Sequence, residues 1–462
     1  MKSATMASQA QGFQQFLADY RERHPEDVLA FSGEVSADQE ITAIVQQLAL
    51  EGRYPMLVFD RVQGLQASVA TNVFASRTRV ARMLGVPLEG LHRAYQQRAR
   101  QRVAPKVVEQ GPVLEEVRQG KDIDLRRLPL INHFASDRAP YITNAVMVAE
   151  HPDTGVGNLS YHRSMLHSPT EIATSLHSRG DLWRLLQIAT ERGKPMPVAM
   201  VIGAHPLFML AASARVPFDV DERDVAGGLL GAPLEVIRTP KHGIRVPAHA
   251  EIVLEGVIDP TQRADEGPFG EFTGYSSNRS TNNLFKVETV MQRRNAMLVD
   301  VVGGNSAEHL NLARIPRESE MAEKLMERFP GVTALHYPNS GTHFHAYVAL
   351  KQLRPGEARQ VMLGLLGWDP YLKTVIAVDP DVDVTHDEQV LWALATHFQP
   401  HRDLLMVDGL PGSALDPSAS GVGTTSRMGL DATRGPDFDG VRAVLSDAAV
   451  GRAKELLSAA RG

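Results

Sequence analysis

The 462 residues include no cysteine. Disulfides, thiolate nucleophiles, iron–sulfur clusters and cysteine-built zinc sites are therefore excluded. Long apolar runs are missing too: no stretch reaches the roughly 18 apolar residues that a bilayer-spanning helix needs. The first residues, MKSATMASQAQGFQQFLADYRERHPED, lack the apolar segment of a signal peptide. Together these absences lead to the expectation of a soluble, cytoplasmic protein. Positive charge is also short, with 48 Lys and Arg against 54 Asp and Glu for a net charge of -6. The densest basic run, residues 98–102, reads as a solvated helix end or linker. Nucleic-acid binding needs a stripe of cations against phosphates, and it is not expected. Nor is there a Walker loop, a G-x-G-x-x-G fingerprint or an H-E-x-x-H pair. Asp379-Pro-Asp381-Val-Asp383 begins like a calcium loop, but Val384 and Val390 stand where Gly and Glu are required. His343 and His345 flank Phe344 with the spacing of one strand face; ordinary polar packing is the simpler reading than a metal pair.

A chain of this length divides into two or three domains. The pattern predicts a mixed α/β (α+β multidomain) fold with boundaries at 1–112, 113–306 and 307–462. In the first part Ser36, with Gln39, is placed to cap a helix carrying Ile41, Ile44, Val45 and Leu48 on one face. Gly52 and Pro55 end it, residues 56–59 read as a strand, and 77–84 as a second helix. The second part is strand-rich, at 142–149, 198–202, 250–258, 284–291 and 298–302. Helix starts are predicted at Ser168-Pro169-Thr170-Glu171 and at Asp221. The third part alternates helices (318–329, 356–366, 389–397) with strands (375–379, 404–407) and closes on a helix at 451–460.

Glu266-Gly-Pro-Phe-Gly-Glu271-Phe-Thr-Gly-Tyr275 is the most informative stretch. Two carboxylates flank a Gly-Pro-x-Gly turn that can aim both into one pocket, where repulsion and low dielectric raise one pKa and keep a proton donor available. Taken alone, the pair reads more simply as a solvated surface turn. Upstream stands Gly155-Val-Gly-Asn158-Leu-Ser-Tyr-His-Arg163. Asn158, five residues before Arg163 and followed by the E-G-P-F-G-E turn, resembles the UbiD decarboxylase family. Further ordered blocks resemble it too: Phe74 to Gly85, Leu176 to Gly180, Glu222 to Gly231, Ala250 to Gly256, and Arg427-Met-Gly-Leu-Asp-Ala-Thr433.

The resemblance implies a central split β-barrel of flavin-reductase-like type and a C-terminal domain that mediates oligomerisation, as a homodimer or higher homo-oligomer. It implies prenylated FMN, supplied by a flavin prenyltransferase, with Mn²⁺ (or Mg²⁺) at Asn158, His177 and Glu222. An amide, an imidazole and a carboxylate suit such ions. K⁺ is implied at the backbone around Ala211, Ala212 and Ala214, with Glu222 shared. Cofactor contacts fall on Tyr161, His162, Arg163, Arg179, Gly180 and Arg427, the last standing where many relatives carry lysine. The implied activity is non-oxidative, reversible decarboxylation of an unsaturated or aromatic acid through a covalent adduct with the cofactor. Glu271 is then the proton donor, and Glu266 holds Arg163. His309 and Arg317, expected on a loop after 298–302, match a pair in relatives that handle furan dicarboxylates. They would grip a second carboxylate or a ring heteroatom, or simply anchor the loop. The substrate leaning is furan-2,5-dicarboxylate, then pyrrole-2-carboxylate, with hydroxybenzoate and cinnamate-type acids open. The rival from another class is an FMN-binding oxidoreductase or non-catalytic flavin protein, which has no need for two glutamates beside Arg163.

Overall fold

The computed structural model describes residues 11–63, 67–176, 180–419 and 423–461. The chain forms a mixed α/β multidomain structure around three principal sheets. The first sheet is four-stranded, in the order Val28–Val35, Met56–Val62, Val69–Thr71 and Leu298–Val299. Its last strand comes from far along the chain and pairs parallel to Val69–Thr71. The first sheet and the middle of the sequence are thereby joined.

The second sheet has nine strands and supports the site. Its order runs Tyr141–Ile142, Ser164–Ser168, Glu171–Thr174, Asn283–Gln292, Ile252–Arg263, Met196–Ile202, Ala145–Glu150 and Gly157–Tyr161; Glu116–Gln119 pairs with Asn283–Gln292. Gly157–Tyr161 is outermost on one side, and Ser164–Ser168 is next to outermost on the other. Only His162 and Arg163 connect them. So short a link forces the sheet to curl until its two sides nearly meet, which makes a half-barrel.

Both faces of this sheet are buried. Val146 and Val148 enter one core cluster, while Ala145, Met147 and Ala149 enter another. Ala199 and Val201 likewise oppose Val198, Met200 and Ile202. Double-sided burial explains why these strands read as unbroken apolar runs rather than alternating ones.

The third sheet has five strands: Val332–His336, His345–Leu350, Thr374–Val378, Thr424–Ala432 and Leu404–Pro411. It too is covered on both faces, with Ala346 and Val348 on one side and Tyr347 and Ala349 on the other. The helix Ala307–Arg328 connects it to the rest.

Several elements differ from expectation. The first predicted cap fails because the Gln39 N–H donates to the Asn132 carbonyl (2.8 Å) and Gln39 turns left-handed (φ 65°). The helix therefore starts at Glu40, whose carboxylate reaches back to the Ser36 N–H (2.5 Å). Ser168-Pro-Thr-Glu171 opens no helix. It is the turn between Ser164–Ser168 and Glu171–Thr174, with the Ser168 hydroxyl donating to Glu171 (2.9 Å). The same side chains that cap a helix close a hairpin when the residues after them pair with a neighbour, here Asn283–Gln292. His309 and Arg317 are on the helix Ala307–Arg328, not on a loop. Ser306 caps that helix, accepting from the His309 N–H (3.2 Å), and Pro316 is carried inside it. The helix start at Asp221 is as expected: its carboxylate accepts from the Arg223 N–H (2.9 Å). Among the described residues, no helix is long and apolar enough to cross a membrane.

Candidate active site

Arg163 sits in the link that closes the half-barrel. The Glu266–Tyr275 segment folds as a tight hairpin with Phe269–Gly270 paired to Ser276–Ser277. At its start Gly267 takes φ +106°, a conformation that only glycine adopts without strain. The hairpin carries both glutamates to the guanidinium. Arg163 Nε donates to Glu266 Oε2 (2.9 Å), a second guanidinium nitrogen approaches the same oxygen (2.8 Å), and Nη1 donates to Glu271 Oε1. Nη2 is held by the Arg279 carbonyl (2.5 Å), and the guanidinium carbon stands 5.6 Å from the centroid of the Phe269 ring. The side chains of Arg163, Glu266 and Glu271 are 9%, 0% and 10% exposed, so the three meet away from bulk water.

Two carboxylates share one cation here. Glu266 is fixed on both sides, because its other oxygen accepts from the Tyr141 hydroxyl (2.8 Å). Burial pushes the Glu271 carboxyl up; Arg163 opposes this and the Glu266 charge adds to it. Glu271 therefore holds a proton more readily than a solvated glutamate does. Asp137 supports the hairpin from behind, its carboxylate accepting from the N–H groups of Gly270 (3.3 Å) and Phe134 (3.1 Å).

A second polar cluster lies on the adjoining outer strand. Asn158 Nδ2 donates to Glu222 Oε1 (3.2 Å), and the Leu159 N–H donates to Glu222 Oε2 (3.1 Å). Both side chains are buried. Burial, reinforced by Asp221 and Asp181, pushes Glu222 up to about 8. A buried carboxylate beside other acids, with no cationic partner for it among the described residues, fits a bound cation. Asn158 Oδ1, the atom suited to ligation, accepts from the Ser160 hydroxyl (3.3 Å). His177 and Arg179 lie outside the described residues. Among those described, no group of three or more His, Asp or Glu stands ready for one metal ion.

The other sequence-derived residues divide. His162 bonds Ser160 (3.0 Å) and the Ser175 carbonyl (3.2 Å), and the Tyr161 hydroxyl donates to the Met209 carbonyl (2.7 Å) on the helix that ends at Ala211. Gly180 is the N-cap of the helix Asp181–Glu191 and, being glycine, supplies no side-chain cap. Arg427 is not brought to this cluster. Its guanidinium is spent on the carbonyls of Leu366, Asp369 (2.9 Å), Pro370 (3.0 Å) and Pro411 (2.5 Å), which makes it a clamp within the third sheet's layer. His309 lies behind the hairpin, its Nδ1 bonded to the Gly304 carbonyl (2.7 Å), while the Gly304 N–H donates to Gly270 (2.9 Å). Arg317 pairs with Asp369 (3.1 Å) and lies 5.0 and 5.1 Å from the rings of Tyr337 and Tyr371. Tyr141, Asp137 and His343 were not singled out as site residues by sequence. No spacing ties them to the motifs: the curl of the second sheet brings Tyr141 and Asp137 near, and His343, just ahead of the third sheet's strand His345–Leu350, comes near by packing on Phe272. A cavity of about 2020 Å³ opens elsewhere, lined by Arg77, His92 and His336, and contains none of the three trio residues.

Comparison with known proteins follows the same lines. Profiles of the 3-octaprenyl-4-hydroxybenzoate carboxy-lyase (UbiD) family match in succession: its N-terminal domain over residues 21–99, its Rift-related domain over 106–306 and its C-terminal domain over 310–432. Anhydromevalonate phosphate decarboxylase of Methanosarcina mazei is 31% identical over 406 residues, 87% of this chain and 92% of that protein. The UbiD-class enzyme HmfF from Pelotomaculum thermopropionicum, solved in complex with FMN, superposes with a TM-score of 0.90 at 32% identity, covering 96% of this chain and 98% of that one. An evolved dimeric form of HmfF, in complex with prFMN, gives 0.85 at 30% identity over 95% and 100%. Vanillic acid decarboxylase of Sedimentibacter hydroxybenzoicus, in open form, gives 0.85 at 29% identity over 97% and 99%.

Proposed function

Since the chain belongs to the UbiD family of carboxy-lyases, we propose that it releases CO₂ from a heteroaromatic carboxylic acid, furan-2,5-dicarboxylate first and pyrrole-2-carboxylate next. The observation that carries this reading is the buried Arg163–Glu266–Glu271 trio. Prenylated FMN, when bound, supplies the electron sink that an sp² carbon lacks on losing CO₂. Everything else falls to the chain. Arg163 orients the acid and, being tied to Glu266, keeps one position throughout. Glu271 Oε1 faces the guanidinium, and its raised affinity for a proton lets it protonate the product carbon and recover the proton afterwards. The reverse reaction runs through the same groups at high CO₂.

Asn158 and Glu222, with His177, would hold Mn²⁺ or Mg²⁺, and K⁺ would share Glu222 with carbonyls near Ala211, Ala212 and Ala214. Tyr161, His162, Arg163, Arg179 and Gly180 would line the cofactor. His309 and Arg317 would meet a second carboxylate. We read 1–112 as an N-terminal domain, 113–306 as the cofactor domain with its curled sheet as a flavin-reductase-like split barrel, and 307–462 as the oligomerising domain of a homodimer or larger assembly. Location in the cytoplasm, beside a flavin prenyltransferase, suits that cofactor supply. The dimeric form of HmfF supports the assembly.

The test is CO₂ release by protein co-expressed with a flavin prenyltransferase, over furan, pyrrole, phenolic and acrylic acids. Glu271→Gln should lower turnover by about 10²–10⁴-fold while the cofactor's absorbance on the protein persists. Undiminished turnover would remove Glu271 from its role.

A further inference from the structure

Arg163 owes its place to more than its two acids. Its own carbonyl accepts from the Ser175 N–H (3.3 Å) and the Thr174 hydroxyl (3.0 Å). At the other end its guanidinium donates to the carbonyls of Arg279 (2.5 Å) and Ser277 (3.4 Å). Backbone and head group are thus gripped by two segments far apart in sequence, 174–176 and 277–282. The second is a polar connection, Ser277-Asn-Arg-Ser-Thr-Asn282, leading into the strand Asn283–Gln292. It contains no apolar residue, and Asn278 and Arg279 are exposed. A loop without buried apolar contacts opens at little cost, so hydrogen bonds must set where its carbonyls stand.

One residue joins the two segments. Thr281 Oγ1 accepts from the Leu176 N–H (2.7 Å) and donates to the Leu176 carbonyl (3.3 Å), while the Thr281 N–H donates to the Ser175 hydroxyl (3.3 Å). The next residue, Asn282, turns left-handed (φ 53°), and its Oδ1 accepts from the Glu266 N–H (3.4 Å). These bonds close a circuit. It runs from the Arg163 carbonyl through Ser175 to Thr281, back along the loop to the Arg279 carbonyl, and returns to the guanidinium. We propose that Thr281 is a positioning residue for Arg163, the clasp that closes this circuit and sets where the guanidinium stands between Glu266 and Glu271. This rests on the decarboxylase reading and adds to it a residue outside the trio, one that acts through Arg163.

The position of the guanidinium decides how Glu271 holds its proton. The charges acting on Glu271 are Arg163, from the link, and Glu266, from its own hairpin. Behind the hairpin the Asp137 carboxylate is engaged by the Gly270 N–H (3.3 Å), and from the third sheet's layer the His343 ring packs on the next residue, Phe272. Arg163 pulls down a carboxyl that burial pushes up. A guanidinium that drifts therefore leaves Glu271 binding its proton more tightly.

Thr281→Val removes the hydroxyl and keeps the shape; Thr281→Ser keeps the hydroxyl and removes a methyl. Two readouts are taken on the cofactor-loaded protein. The first is the titration midpoint of the Glu271 carboxyl by ¹³C NMR of labelled glutamate, with Glu271→Gln as the assignment control. The second is the pH profile of CO₂ release. Thr281→Val should raise the midpoint, move the limb set by Glu271 to higher pH, and lower turnover about tenfold, the scale of one buried amide left without its acceptor. Thr281→Ser should return most of all three. A midpoint that stays at its wild-type value in Thr281→Val overturns the proposal, even if turnover and melting temperature fall, because a loss of packing alone leaves that proton where it was. So does wild-type turnover in that variant, or a Thr281→Ser protein no nearer to wild type than Thr281→Val. A wild type that releases no CO₂ from any acid, with the midpoint still governed by Thr281, sinks the decarboxylase reading and leaves the clasp standing.

Discussion

Glu266 has both oxygens occupied, one by Arg163 and one by the Tyr141 hydroxyl, which also reaches the Pro268 carbonyl at 3.2 Å. Tyr141 thus fixes the group that fixes Arg163. Tyr141→Phe should destabilise the protein by about 1–2 kcal/mol, and turnover should fall roughly tenfold as the guanidinium loosens. Thermal melts and CO₂ release measure the two effects, and unchanged values in both would show that the hydroxyl holds nothing. At this scale the sequence is legible only in part. The glutamates announce themselves through their turn, and Arg163 through its distance from Asn158. Tyr141 and His343 do not, because a tyrosine and a histidine among apolar residues look the same whether they support a site or fill a core. Arg427, expected from its block at the cofactor, is ambiguous in sequence for a related reason. A cation in a recognisable block says that a negative partner is near, and four carbonyl oxygens serve as well as a phosphate.

Phe134 shows how elements hold the hairpin in place. A Cβ on Gly270 would lie 2.5 Å from the Phe134 ring, and one on Gly304 would lie 2.9 Å from its far end. The half-buried ring lies close against both backbones. Gly270→Ala should therefore cost about 1–3 kcal/mol by overpacking, with turnover falling further than stability because Glu271 is the next residue. A melt and a rate on the same sample decide it; a wild-type rate would mean that the hairpin tolerates the shift. Helices with a side-chain cap and a clear end were legible in sequence, as at Asp221. Those decided by distant pairing were not. Ser168 to Glu171 carries every local mark of a helix start, and the ladder between Glu171–Thr174 and Asn283–Gln292 overrides it. Pro316 and the glycines before Ser306 hid the first turns of the helix Ala307–Arg328, since a buried helix tolerates a proline that composition treats as a stop.

Glu318, fully buried, ties the N-terminal helices to the third sheet's layer. Its carboxylate accepts a two-pronged pair from Arg77 (2.9 and 2.6 Å) and lies near His92 (3.0 Å) and His336 (3.5 Å). Burial works against its charge, but Arg77 and His92 outweigh it and hold the carboxyl well below its ordinary 4.5. The folded state therefore binds fewer protons than the unfolded one in acid. Its stabilisation is present above about pH 4.5 and is lost as pH falls towards the folded value. Glu318→Gln should cost about 3–5 kcal/mol near neutrality and flatten the acid limb of a stability–pH curve; an acid limb as steep as that of the wild type would assign the loss to other carboxylates. The half-barrel has a consequence of its own. Three peptide units separate Tyr161 from Ser164, and a chain reaches at most about 3.6 Å per unit, so the gap between those strand ends is capped near roughly 11 Å. Main-chain length acts there as a ruler. One inserted residue would widen the mouth by about a third of that cap and carry the guanidinium away from both acids. The turn at 151–156, by contrast, could lengthen without disturbing either.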